Sequence, residues 1–438
     1  MGEDMIMSRR NCSGSLSALV VAAALGVPAL VQPTVAQVIT SITVGPDQPL
    51  SYSSDLTTLP DEHTTFFPQV GPNSVTYLVF AASNLFPHPR SGTVALATSD
   101  LMTFTLAPGY PQPVMVPHVS FTTCNPAYNT EFDENYAAPG SVLQDPTRPA
   151  GHFIMIYEAE NHCPGGVNQG PFYATVGLTR STDYGKTWPA ASPKEYGDIY
   201  RRPVLKMDTD EPATPFPAMG NAIPSAFIDT ATTGDPYIYV PYMLFGPANY
   251  GYLRMARADL AQRPLDFFKW YVDMGVGSFS QPGIHGLDSG VTPSHGCENS
   301  QPPVTGQTAQ YQHGGSISYF ATTQQYLLTF VCVQLTGTAP NYYAAQAGWY
   351  WSTATSLEKQ DWTQPQLIAN SQMSAANCTG GQLFDGWYPS FMTPSSLSTV
   401  YQPGQLGNTG LVFFLNGCNG SLTPRQFMYR QFQIMTGS

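Results

Sequence analysis

The chain has 438 residues, 42% of them apolar but only 11% charged, with a formal net charge of −12. Seventeen Lys and Arg against 29 Asp and Glu exclude the clustered basic surface that nucleic-acid binding requires. The apolar content is ample for a large core, and no stretch after the N-terminus is long and apolar enough for a membrane helix.

The N-terminus reads as a targeting segment. Arg9 and Arg10 precede the apolar run Ser17 to Val31, and the "TVAQ" that follows ends a small-x-small cleavage site after Ala36. Residues 1–36 are therefore expected to be a secretory signal peptide, with Met7 a candidate start, and the mature protein to be secreted or periplasmic. Removing them takes as many bases as acids, so the balance stays at −12. It also removes Cys12, leaving six cysteines, which in an exported protein suggest three disulfides. Pairing neighbours gives Cys124–Cys163, Cys297–Cys332 and Cys378–Cys418 among fifteen possible connectivities. There is no CxxC pair and no HExxH, so no dedicated zinc site is expected. Asn377 and Asn419 head glycosylation sequons.

Helical periodicity is scarce from residue 37 onward. Short β-rich runs alternate with Gly, Pro, Asn and Ser clusters, the pattern of a sandwich, barrel or propeller. A similar start recurs five times: "FFPQV" (66–70), "APGSV" (138–142), "IPSAF" (223–227), "GGSIS" (314–318) and "YPSFM" (388–392). Each is followed by a second apolar run, and four by a third that ends in a polar turn and an aromatic. A three- or four-stranded unit repeated five times predicts an all-β, five-bladed β-propeller, with a pair of β-sandwiches as the competitor. The expected blades are 60–107, 134–190, 220–272, 311–365 and 383–437, one domain over 37–438. The last unit lacks room for a fourth strand, and "VITSITV" (38–44) is expected to supply it and close the ring.

"RSTDYGKTW" (180–188) carries Ser181, Asp183, Gly185, Thr187 and Trp188 at the spacing of an Asp-box, the short repeat that it resembles in sialidases and other propellers. Physically it is a hairpin turn: Asp183 can accept backbone N–H bonds, Gly185 permits a positive φ, and Trp188 can bury its ring between sheets. It speaks to fold and hardly at all to substrate.

Strand direction then places the chemistry. The starts of first strands and the ends of second strands share one face, with long connections around it, and the Asp-box turn lies on the other. On the first face fall Asp61, Glu62 and His63, then Glu131, Asp133 and Glu134, then His313, and then Asp385 with Trp387 and Tyr388. The second-strand ends add Glu158, Glu160, His162 and Asn416. "YEAENH" (157–162) sets Glu158 and Glu160 at alternate positions, so both face one side of the strand. Two opposed carboxyl groups are what glycoside hydrolysis uses, one protonating the leaving oxygen and the other activating water or attacking. The candidate catalytic residues are therefore Glu158, Glu160, Asp385 and Glu62. The candidate substrate-binding residues are His313, His63, His162, Trp387, Tyr388 and Arg180.

"AAPGSV…HFIMIYEAE", "IPSAFIDTATTGDPYIYV" and "TSDLMTF" resemble the blades of five-bladed glycoside hydrolases of the arabinanase, β-xylosidase and invertase types. The resemblance implies a carbohydrate-active protein with three channel-mouth carboxylates: a base or nucleophile, an acid, and a third that tunes the acid. In those families an Asp stands directly before the "PS" of the first strand; here Phe67 and Ile223 hold the corresponding places, and His313 stands where the family acid is expected. The acids have moved to the second-strand ends, or the chemistry is gone. A glycoside hydrolase acting as a monomer on a polysaccharide or oligosaccharide is the primary reading. A non-catalytic carbohydrate-binding propeller and a polysaccharide lyase using His313, His63 or His162 are the alternatives. No cofactor is expected beyond a structural channel ion such as calcium.

Overall fold

The computed structural model describes residues 37–57, 59–70, 75–85, 90–117, 132–162, 172–189, 201–208, 218–230, 234–245, 252–293, 297, 308–338, 341–370, 383–394, 404–418 and 425–437. None of these is helical. The expected signal segment, Glu131, both glycosylation sequons and the expected Cys124–Cys163 and Cys378–Cys418 disulfides fall wholly or partly outside them.

Five antiparallel meanders follow one another along the chain. The first comprises Thr65–Val70, Val75–Leu85, Arg90–Thr98 and Thr103–Leu106. In the second, Tyr136–Gln144, Phe153–Asn161 and Phe172–Ser181 are completed by Arg202–Leu205. The third is built from Phe227–Asp229, Tyr237–Phe245, Leu253–Asp259 and Phe268–Asp273, with Val276–Pro282 as a fifth strand. Thr308–Phe320, Gln325–Thr338, Asn341–Ala354 and Gln366–Asn370 form the fourth. The last contains Leu383–Met392, Thr409–Cys418 and Gln426–Gly437. Val38–Val44 pairs antiparallel with that final strand, Val44 opposite Phe432 and Val38 opposite Gly437.

The all-β, five-bladed arrangement follows from how the sheets meet. The inner strands read as apolar on both faces because each sheet is covered by two neighbours: Tyr136–Gln144 and Phe153–Asn161 are buried at nearly every position. Aromatic rings interlock between blades. Phe67 of the first stacks on Phe153 of the second at 4.7 Å, and Phe66 lies 4.5 Å from Phe413 of the fifth. Trp188 of the Asp-box turn is buried edge-on to Phe80, 6.3 Å away in the first blade.

A girdle of hydroxyl groups ties all five first strands together. Thr64 N–H donates to Ser390 Oγ at 3.0 Å and Val142 N–H to Thr65 Oγ1 at 3.1 Å. Ala226 N–H donates to Ser141 Oγ at 2.8 Å, Ser225 Oγ to the Gly315 carbonyl at 2.7 Å, and Ser316 Oγ to the Pro389 carbonyl at 3.1 Å. The bonds run fifth to first, first to second, and on around to the fourth and fifth, a cycle that two separate sandwiches would not make. Inside it lies a channel cavity of about 60 Å³, lined from every blade by residues that include His63, Thr64, Ser141, Ser225, Ser316 and Ser390.

The girdle corrects one alignment. Thr65, not a position in "FFPQV", is the first-blade equivalent of Ser141, Ser225, Ser316 and Ser390. The first-blade counterpart of Ile223 is therefore His63. Phe67 belongs to the interblade core.

Candidate functional site

The first strands bulge as they reach one end of the channel: pairing slips between His313 and Ser316 and between Trp387 and Ser390. Two residues before the girdle hydroxyl, Ile223, Gly314 and Tyr388 take φ of 50°, 58° and 56°. Gly314 does so freely, but a β-branched residue such as Ile223 is strained there. The bends turn His63, His313, Trp387 and Tyr388 toward one another. His313 lies 4.1 Å from Trp387 and 5.4 Å from Tyr388 between ring centroids, and His63 lies 6.0 Å from Tyr388.

Against these rings stand three carboxyl groups. Glu158 and Glu160 alternate along the second strand of the second blade, so the pleat presents both on one side. The carboxyl groups of Glu158 and Glu160 shift each other's titration, and so do those of Glu62 and Glu158. Ile223 N–H donates to Glu158 Oε2 at 2.5 Å, and His162 Nε2 meets Glu160 Oε2 at 2.6 Å. Asn135 fixes the turn from both sides: its N–H donates to the Glu160 carbonyl at 3.0 Å, and its Oδ1 accepts His162 N–H at 2.8 Å.

The electrostatics follow from burial and like charge. Glu62 and Glu158 are 1% and 3% exposed. Burial, and then the neighbouring Glu158, hold Glu62 well above the ordinary carboxyl range. Burial also pushes Glu158 up to about 8, against the opposing hydrogen bond from Glu62, and pushes Glu160 up to about 8. With Glu62 raised and Glu158 and Glu160 pushed up to about 8, neutral pH favours the protonated form of the cluster. Burial lowers His63 and His313 to about 3, which leaves both imidazoles neutral. Asp61 is also raised by burial, in spite of the Arg425 guanidinium hydrogen-bonded to it.

The structure thus brings Glu62, His63, Glu158, Glu160, His162, His313, Trp387 and Tyr388 to one end of the channel. Asp385 lies on the first strand of the fifth blade opposite Asn416, but its side chain is outside the described residues. Arg180 is a correction. It pairs with Ile154 at the far end of its strand and sits 3.7 Å from Asp145, so it belongs to the Asp-box side and not to this cluster. Asp133 is turned away as well, 3.2 Å from both Tyr157 Oη and Arg201 Nη1.

Sequence reasoning missed three participants. Tyr136 donates through Oη to the Asp61 carbonyl at 2.9 Å and is raised well above the ordinary phenol range, first by burial and then by Asp61, Glu62 and Glu160. Arg425 carried no motif. Ile223 acts through its backbone, which a side-chain inventory does not register. Among the described residues no group of three His, Cys, Asp or Glu side chains has the geometry to hold a metal ion.

No protein-family model matches the chain, and no curated protein matches it. Solved structures resemble it at low identity. One described as a glycoside hydrolase is 11% identical with a TM-score of 0.40, over 87% of this chain and 92% of the other. An N-acetylgalactosamine deacetylase from F. plautii is 11% identical with a TM-score of 0.45, over 90% and 96%. An α-L-arabinanase from Cellvibrio cellulosa is 10% identical with a TM-score of 0.41, over 86% and 96%. At such scores the likeness decides neither family nor reaction.

Proposed function

We propose that the protein is an exported glycoside hydrolase acting as a monomer on a polysaccharide or oligosaccharide. The observation that carries this reading is the group Glu62, Glu158 and Glu160 at the channel end, the first two buried and all three with raised carboxyl pKa values, beside His63, His313, Trp387 and Tyr388. Glu160 is the most exposed of the three and is clamped by His162, so it is assigned as the proton donor to the glycosidic oxygen. Glu158 is raised to about 8 by burial, partly offset by the Ile223 N–H that it accepts, and in its carboxylate form is assigned as the group that activates water or attacks the anomeric carbon. Glu62 holds a proton against Glu158 and sets the charge state of the pair. Trp387 and Tyr388 are buried and border the cluster, so they shape the end of the site.

The near-complete burial of Glu62 and Glu158 favours a second reading, a sugar-binding propeller without turnover. A lyase fits less well: a uronic acid would meet three carboxyl groups and Asp61, and the nearby Arg425 is already engaged by Asp61.

The test uses the mature protein with a panel of plant, fungal and bacterial polysaccharides, following new reducing ends and the ultraviolet absorbance of unsaturated sugars together. Reducing ends alone, lost in Glu160→Gln and Glu158→Gln, support hydrolysis. Added absorbance points to elimination. Neither signal, with retained glycan binding, leaves the binding propeller.

A further inference from the structure

The chain contains 25 Tyr, 23 Phe and 6 Trp. Among the described residues the large apolar and aromatic side chains that stand well exposed include one aromatic, Tyr184, at 53%. It occupies the tip of the Asp-box turn, at the opposite end of the second blade from Glu160. Seven residues separate Phe153, opposite Ser181, from Glu160, so the two places are about 20 Å apart along the strand.

The ring of Tyr184 is held rather than loose. Its backbone is left-handed, with φ of 64°, and its N–H donates to the Gly151 carbonyl at 2.9 Å. A Cβ added to Gly151 would meet three ring carbons of Tyr184 at 2.6 to 2.8 Å, so one face of the ring lies flat on that glycine. Phe153 meets it edge-on at 6.3 Å. Tyr110 donates through Oη to the Tyr184 carbonyl at 3.0 Å, and Lys186 Nζ lies 5.7 Å from the Tyr110 ring centroid. The residues flanking the tip are polar: Asp183, Lys186 and Thr187.

We propose that Tyr184, with Tyr110 and Lys186, forms a second glycan-binding platform on the face opposite the carboxyl cluster. A held ring that stands about half exposed pays little conformational entropy when a flat ligand stacks on it. The C–H face of a pyranose matches that surface, and the Lys186 ammonium and Tyr110 hydroxyl are placed to meet its hydroxyl groups. The choice of a sugar among flat ligands rests on the carbohydrate reading above. The platform would hold a polymer chain while the other face acts on it, raising local substrate concentration without taking part in the reaction.

Affinity electrophoresis of the mature protein in gels containing arabinoxylan, β-1,3-glucan or galactan tests this. At least one glycan is expected to retard the parent. Tyr184→Ala should weaken that retardation at least tenfold, Tyr184→Trp should keep it, and Glu160→Gln should leave it unchanged. Thermal unfolding of Tyr184→Ala and Tyr184→Phe checks that the turn remains folded. Retardation that survives Tyr184→Ala, or that is lost equally in Glu160→Gln, overturns the platform and assigns the binding to the carboxyl end. A parent that releases reducing ends but is not retarded overturns the platform alone. A parent that does neither overturns the carbohydrate reading with it.

Discussion

The backbone N–H of Ile223 reaches Oε2 of Glu158 at 2.5 Å, and Ile223 holds φ of 50° to do so. A left-handed β-branched residue costs on the order of 1–3 kcal/mol. That strain, beside a buried carboxyl, is the arrangement in which function and stability oppose each other. Glu158→Gln keeps an acceptor for the N–H and removes a charge that burial disfavours. At pH 9 the variant is expected to melt at or above the parent temperature while turnover falls at least about 100-fold, the scale of lost general acid–base catalysis. A variant that is both less stable and fully active would make Glu158 a structural group.

Glu62, Glu158 and Glu160 have pKa values raised on folding, the last two to about 8 from 4.5. The folded protein therefore binds more protons than the unfolded chain from about pH 4.5 to 8. Stability from these groups is present below pH 4.5 and is lost as pH rises through 8. His63 and His313 act oppositely, being lowered to about 3 from 6.5, so their contribution grows between pH 3 and 6.5. The two effects oppose each other below pH 6.5 and only the carboxyl effect continues above it. Unfolding free energy is expected to fall between pH 6.5 and 8, by up to about 1.4 kcal/mol per pH unit for each proton involved. Denaturant melts of the parent and of Glu160→Gln check this, and the variant should show the shallower decline.

Arg430 is fully buried, with its guanidinium 4.4 Å from the Trp349 ring and 5.0 Å from that of Phe414. Its partner Asp47 comes from the segment after the N-terminal strand and also accepts from Asn416 Nδ2 at 2.9 Å. Asp47→Ala leaves a buried cation without its counter-ion, a loss of about 3 kcal/mol. Arg430→Met, which removes the charge itself, should cost less. Chemical denaturation of the two variants separates these outcomes, and equal costs would show that the pair is not the source of the stability.

Much of this molecule is legible from composition and spacing. The five repeated starts mark the five meanders, and "YEAE" places two carboxyls on one side, because strand pleating makes alternation a geometric fact. The Cys297–Cys332 bridge is also observed. What stays hidden depends on backbone geometry or on partners distant in sequence. Pro68 attracted the first repeat to "FFPQV", whereas the girdle depends on a hydroxyl, and Thr65 supplies it. Arg180 directly precedes the Asp-box turn, which strand direction already puts on the other face, and its register opposite Ile154 makes that explicit. Tyr136 and Arg425 meet Asp61 from 75 and 364 residues away, and no local pattern marks either.

The hydroxyl girdle yields a graded prediction. Thr65 and Ser141 each accept a buried backbone N–H from the next blade, whereas Ser225 donates to a carbonyl. An N–H has one bond to make, so losing its acceptor leaves it unsatisfied, while a carbonyl tolerates the loss of one of two lone-pair partners better. Thr65→Val and Ser141→Ala are expected to cost about 1–3 kcal/mol each, and Ser225→Ala nearer 1 kcal/mol. Thr65→Ser, which keeps the oxygen and loses a methyl, should recover most of the Thr65→Val loss. If Thr65→Ser is damaging and Thr65→Val, which keeps the methyl group, is not, packing of that methyl and not the interblade bond holds the first two blades together.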